Sequence, residues 1–345
     1  MKSLFVAPSP VTRLWTNSQG GELWVKNDGA LAAPYGGNKV RKLAHVLPHA
    51  VELGRTRILT FGAAGSHHAL ATAVYAKRFG LKAAAILTPQ HWSQHAELTL
   101  RAALVQGLEI FPAANSVEAL ELLPQVYNPC DLLVGPGALG PLGCRGFAEA
   151  VAELTAQVHS GVLPQPTCIV VAAGSGSTAA GLLAGLVQRR LDTRVVAVAA
   201  ATNPALRPQI LTQAWFALSS ETRRATTMRK LSQSLEIIVN KSGAGYGRPT
   251  EEKALARRIA QDFGLKLDVT YTAQAFHQAL KEAGHPDLNA AARAEPVLYW
   301  HTLSAAEMTP LLEGAPAAPD PSWLSHLLIS GSTADDCAPG SEARW

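Results

Sequence analysis

A lysine suited to trapping a carbonyl stands near the start of the chain, where Gly36-Gly37-Asn38-Lys39 is followed by Arg41 and Lys42. The glycine pair permits a tight or left-handed turn, and Lys39 comes straight after it at an expected helix start. In a dry pocket, a lysine crowded by further cations is held neutral, and a neutral amine is what attack on a carbonyl carbon requires. The competing reading is a solvated basic helix start, which carries a small cost because cations oppose the positive end of the helix dipole. Taken alone, the motif weighs the two readings equally.

A second segment, AAGSGSTAAG from Ala172 to Gly181, lies between an apolar strand pattern and an apolar helix pattern. Gly174, Ser175, Gly176, Ser177 and Thr178 direct hydroxyls and backbone N–H groups to one point. The helix that follows adds its positive end, so the expected occupant is a phosphate or a carboxylate. No lysine follows the last glycine as in a Walker A loop, and the third glycine comes too late for GxGxxG. A plain tight strand–helix turn is the alternative.

The third segment is GAAGSHH, Gly62 to His68. Ser66 sits where a helix cap belongs; its hydroxyl and the adjacent N–H groups also suit a substrate carboxylate. His67 and His68 are adjacent and diverge on a helix, so they do not make a metal site, and no metal is expected. Towards the C-terminus, Tyr246, Tyr271 and Thr302 lie beside expected strand ends or glycine turns, where a structural role is the simpler reading for each taken singly.

These residues need a scaffold to bring them together. The chain has 345 residues, 48% of them hydrophobic and 16% charged, with a formal net charge of +4. A charged share well under the usual ~25% argues for a large core and against extensive disorder, and the length suggests about two domains. The densest basic stretch, Arg223, Arg224, Arg229 and Lys230, reads as a solvated helix face, so no nucleic-acid partner is expected. The cysteines (Cys130, Cys144, Cys168 and Cys337) show no CxxC spacing, which fits a reduced, cytoplasmic interior better than disulfides or zinc. No targeting segment is expected, because the apolar run at the N-terminus is short. Residues 161–188 carry no charge but are broken by Pro164, Pro166, Gly174 and Gly176, so they are not read as a membrane span.

Short apolar runs at 22–26, 57–61, 83–87, 109–111, 132–134, 168–172, 195–199, 235–239 and 297–301 read as strands. Helical patterns at 39–53, 67–79, 94–106, 146–158, 178–190, 251–263 and 273–283 lie between them. Strands alternating with helices predict an α/β protein with mostly parallel sheets covered on both faces, as two three-layer α/β/α domains. The expected division is a large domain over 1–45 plus 151–331, a small domain over 46–150, and a flexible tail from Ser332 onward.

Together the segments resemble the pyridoxal-phosphate enzymes of the tryptophan-synthase-β-like fold (fold type II), and within it the branch of 1-aminocyclopropane-1-carboxylate (ACC) deaminase and D-cysteine desulfhydrase. The resemblance runs in order through PSPVTRL, LWVKND, GGNKVRKL, GAAGSHHALATA, PLGCRGFAEA, GSGSTAAG, AGYGRPTEE and DVTYTAQA. It implies pyridoxal 5'-phosphate as cofactor, with Lys39 as the Schiff-base lysine and Lys42 as a second lysine near the cofactor. It implies Ser175, Gly176, Ser177 and Thr178 as the phosphate cradle, Ser66 as a substrate-facing serine that assists proton transfer, and Tyr246 and Tyr271 as active-site tyrosines. Thr272 falls where ACC deaminase carries a glutamate facing the pyridine nitrogen and the desulfhydrase type carries threonine. Thr302 matches the threonine of a family HTGG string near the ring. A homodimer is the family's common assembly.

The sequence also departs from the family. His67 replaces an asparagine that contacts the cofactor's 3-hydroxyl, HTGG has become His301-Thr302-Leu303-Ser304, and an RDD string has become Lys26-Asn27-Asp28. The resemblance implies a lyase or deaminase of a small amino acid. Neutral threonine hydroxyls near the ring favour α,β-elimination to a keto acid and ammonia, with sulfide from a cysteine. ACC deamination, β-replacement and a non-catalytic relative that binds cofactor or amino acid are the alternatives.

Overall fold

The computed structural model describes residues 4–239, 246–288, 290–291, 293–313 and 326–329. The expected tail, with Cys337, lies outside the described residues. In chain order the strands are β1 (Val11–Thr16), β2 (Glu22–Asn27), β3 (Arg57–Ala63), β4 (Lys82–Thr88), β5 (Gln90–His91), β6 (Leu108–Pro112), β7 (Asp131–Val134), β8 (Cys168–Ala173), β9 (Arg194–Ala199), β10 (Leu235–Val239), β11 (Val297–His301) and β12 (Leu328–Ile329). The helices are α1 (Asn38–Glu52), α2 (His67–Ala76), α3 (Gln94–Val105), α4 (Ser116–Val126), α5 (Pro141–His159), α6 (Ser177–Gln188), α7 (Leu206–Ala217), α8 (Ser220–Ala225), α9 (Met228–Gln233), α10 (Glu251–Asp262), α11 (Thr272–Glu282) and α12 (Thr309–Leu312). Among the described residues, no helix is long and apolar enough to cross a membrane.

The chain divides into two compact units: Lys2–His45 with Leu139–Ala306, and Val46–Ala138 with Glu307–Trp345 and Met1. The larger unit carries a six-stranded sheet in the order β1-β2-β11-β8-β9-β10. All its pairings are parallel except β1 with β2. Alternate residues of β8 feed opposite faces, as the two-residue side-chain period of a strand requires. Ile169, Val171 and Ala173 pack with α5, α6 and α7, whereas Cys168, Val170 and Ala172 pack with α10 and α11. Both faces are covered, so the central strands are apolar throughout rather than alternating. The smaller unit repeats the plan with a parallel sheet in the order β6-β4-β3-β7. In it, Leu59, Phe61, Ala84 and Ile86 pack with Ala119 of α4, and α2 lies against β3 and β4.

Two close helix contacts position the site. A Cβ added at Gly146 of α5 would come 2.1 Å from the Arg41 carbonyl oxygen of α1. One added at Gly181 of α6 would come 2.4 Å from the Cys144 carbonyl oxygen of α5. The helix that carries Lys39 and the helix that follows the glycine–serine turn therefore both lie backbone-to-backbone on α5.

Candidate active site

Asn38, the first residue of α1, brings three segments together. Its Nδ2 donates to Thr178 Oγ1 at 3.1 Å, and its backbone N–H donates to the Thr302 carbonyl oxygen at 3.1 Å. Lys39 is thus one residue away from a direct contact between its own loop, the glycine–serine turn and the end of β11. Burial lowers the Lys39 amine to about 8, against the opposing pull of the Asp268 carboxylate. Lys42, fully buried, is pushed well below the ordinary lysine value, by burial first and the charge of Lys39 second. Desolvation is the larger cause for both lysines, and a neighbouring cation contributes only at Lys42.

Arg41 turns the other way. Its guanidinium grips both Asp28 oxygens at 2.8 and 2.9 Å and both Glu153 oxygens at 3.0 and 3.1 Å, and it also donates to Ser9 Oγ at 3.0 Å. Lys26, with no accessible surface, pairs with the same Glu153 and donates to Gln157 Oε1 at 2.7 Å. Trp300 Nε1 donates to Asp28 Oδ2 at 2.8 Å. Two cations and two anions thus cancel in the interior and hold α1 to β2, β11 and α5. The hydrogen-bonded cations hold Glu153 down to about 2 against its burial.

Turn geometry fits a bound phosphate. Gly176 caps α6 at φ +77°, a left-handed conformation that suits glycine, and Ser177 and Thr178 are buried at the first turn. A Cβ at Gly174 would meet the Tyr271 ring at 2.9 Å, so that ring lies directly against the turn. Gly174 and Ser175 retain accessible surface while the residues after them do not. This leaves an open mouth over the N–H groups of a helix start, the arrangement that holds anions.

The hydroxyls of Tyr246 and Tyr271 lie 2.6 Å apart with their rings edge to face. Burial raises both phenols above the ordinary value. Asp268, which the sequence reading missed, organises this side. Its carboxylate accepts from the backbone N–H of Tyr271 at 2.6 Å, the N–H of Thr272 at 3.2 Å and Thr272 Oγ1 at 2.6 Å. Thr272 Oγ1 in turn accepts the Asp268 N–H at 2.7 Å, so its hydroxyl is spent within this turn. An aspartate five residues before the expected helix start at Ala273, and four before the observed one, was the available signal. Behind it, Tyr299 donates to the Thr272 carbonyl at 3.3 Å and stands 3.2 Å from His301 Nδ1; burial lowers His301 to about 4. Thr302, 8% exposed, follows, and Ser304 Oγ accepts the Gly36 N–H at 3.0 Å.

Ser66, His67 and His68 belong to the smaller unit. Ser66 caps α2 by accepting the Ala69 N–H at 3.3 Å. His67 Nε2 lies 2.9 Å from His95 Nε2, whereas His68 is buried, so the adjacent histidines do diverge. No cluster of three or more metal-ligating side chains occurs among the described residues.

Comparison with known proteins is consistent with this geometry. The family described as pyridoxal-phosphate dependent enzyme matches residues 2–295. The nocardicin C-9' epimerase of Nocardia uniformis is 31% identical over 82% of this chain and 86% of its own length. The D-cysteine desulfhydrase of Klebsiella pneumoniae is 30% identical over 79% of this chain and 85% of its own. A solved ACC deaminase homologue superimposes with a TM-score of 0.70 at 25% identity, covering 90% of this chain and 95% of the other.

Proposed function

The chain belongs to the pyridoxal-phosphate-dependent enzymes, and from that premise we propose that it eliminates a β-substituent from a small amino acid, releasing a keto acid and ammonia, with sulfide when the substrate is D-cysteine. The observation that carries this reading is the bond from Asn38 to Thr178, which puts the Lys39 segment at the mouth of the glycine–serine turn. Bound pyridoxal phosphate supplies an electron sink for the α-carbon.

The N–H groups and hydroxyls of Ser175 to Thr178 hold the phosphate, and the Tyr271 ring closes the side of the turn at Gly174. Lys39 accepts the α-proton. With its amine at about 8, roughly one molecule in eleven carries it neutral at pH 7, against about one in three thousand for an unperturbed lysine. Lys42 lies beside it in the dry interior and disfavours a second positive charge there. Because the Thr272 hydroxyl is spent on Asp268, we assign Thr302 as the hydroxyl toward the ring nitrogen. A neutral partner there suits prompt loss of a β-leaving group over opening of a cyclopropane. Ser66 is proposed as a proton-transfer residue, and His67 and His68 as substrate-side groups, from their motif alone.

The test is product analysis on D-cysteine, L-cysteine and ACC, with chiral analysis of recovered substrate. Sulfide and keto acid from D-cysteine are expected in excess over any keto acid from ACC. Faster turnover of ACC, inversion without elimination as in the epimerase relative, or cofactor binding with no turnover would each replace this reading. Added sulfide or amine that is captured into product would mark β-replacement. We also propose a cytoplasmic homodimer; the free thiols of Cys130, Cys144 and Cys168 are compatible with a reducing setting, and sedimentation reads the assembly.

A further inference from the structure

Helix α7 lays one stripe on the glycine–serine turn. Leu206, Ile210 and Gln213 share a face at helical spacing, and all three are buried. A Cβ at Gly176 would come 2.4 Å from Ile210 Cγ1, so the stripe touches the turn itself. Leucine or methionine would fill position 213 at no polar cost, whereas a buried amide is unfavourable unless both of its ends are bonded. Here both are. Gln213 Nε2 donates to the Ser175 carbonyl oxygen at 3.3 Å and to Gln209 O of its own helix at 3.3 Å. Its Oε1 accepts the Gly140 N–H at 3.3 Å and faces the Cys144 thiol at 3.7 Å. Gly140 caps α5 with no side-chain bond of its own kind, so Gln213 ties the start of α5 to the turn.

The Ser175 carbonyl is the group that matters. In a turn whose N–H groups face an anion, a carbonyl rotated toward that anion would repel it. The Gln213 amide gives this carbonyl a donor on the α7 side. We propose that Gln213 is a positioning residue for the cofactor phosphate: it holds the Ser175 carbonyl against α7 and so keeps the N–H groups of the turn aimed into its mouth. This rests on reading the turn as the phosphate cradle.

The test compares wild type, Gln213→Leu and Gln213→Glu as apoproteins titrated with pyridoxal phosphate and, in parallel, with pyridoxal, which lacks the phosphate. Phosphorus NMR reads the bound phosphate directly. Loss of one buried donor predicts roughly a tenfold weaker Kd for pyridoxal phosphate in Gln213→Leu, a displaced phosphorus resonance, and unchanged trapping of pyridoxal. Gln213→Glu keeps an acceptor for Gly140 but loses the donor to Ser175, so it should weaken pyridoxal phosphate at least as much, and it serves alone if the leucine variant does not fold. Wild-type Kd and phosphorus shift in the variants would overturn the proposal, as would equal weakening of both ligands, which marks a merely structural role. Failure of wild type to bind pyridoxal phosphate would instead overturn the underlying functional reading.

Discussion

Replacing Glu153 by glutamine should destabilise the protein by about 3 kcal/mol at neutral pH. Glu153 is held at about 2 instead of 4.5, and a difference of about 2.5 pH units at about 1.4 kcal/mol each is worth about 3 kcal/mol. An independent route gives a similar figure, because removing one partner from a buried ion pair costs about 3–5 kcal/mol, and Lys26 and Arg41 would share a single remaining anion, Asp28. The folded-state value is depressed, so the stabilisation is fully present above the unfolded value of 4.5 and is lost as pH falls from there towards 2. At pH 4 the same arithmetic leaves roughly three quarters of it. Urea unfolding of wild type and Glu153→Gln at pH 7 and pH 4 should therefore show a gap of about 3 kcal/mol that narrows by somewhat under 1 kcal/mol. A gap below ~1 kcal/mol at pH 7, or one that widens on acidification, would refute the reasoning.

Asp268→Asn removes the carboxylate that props up the Lys39 amine, so the lysine should titrate below its present value of about 8. The pH dependence of the rate at which Lys39 of the apoprotein condenses with pyridoxal reads this as an acid shift, and an unmoved profile contradicts it. Thr302→Val should slow turnover with little change in folding. Thr272→Val should leave a buried carboxylate short of a donor and cost about 1–3 kcal/mol in thermal or urea unfolding; the reverse pattern would exchange their roles. Ser66→Ala should cost α2 its cap, about 1 kcal/mol, and Ser66→Gly only a few tenths, as measured by thermal unfolding.

Much of this arrangement was legible because parallel strands buried on both faces leave an unmistakable trace. Cys168–Ala173 and Val297–His301 are apolar runs with a turn or a polar residue at each end. By contrast, β1 escaped because it is an edge strand, half-exposed and without alternation. Helix α5 was expected from residue 146, yet it begins at Pro141, where proline suits the first helical position. The lysine motif and the glycine–serine turn could be read because glycine and lysine chemistry is local. Gln213 and the partners of Arg41 could not: each acts through a residue distant in sequence, and a lone Gln or Arg carries no spacing that names its partner; Asp268, bonded to residues three and four along, was within reach of a local reading. Arg41 reads as one more cation beside Lys39, whereas folding carries it into an ion-pair network with Asp28 and Glu153.

Everything in the functional reading depends on one side chain meeting the cofactor's aldehyde while the turn after β8 holds its phosphate. Borohydride reduction of the holoprotein followed by peptide mapping tests that link most directly. The account predicts a single stable pyridoxyl adduct on Lys39, lost in Lys39→Ala, with Lys42 unlabelled. An adduct on Lys42 or elsewhere, or a protein that takes up no cofactor, would contradict it.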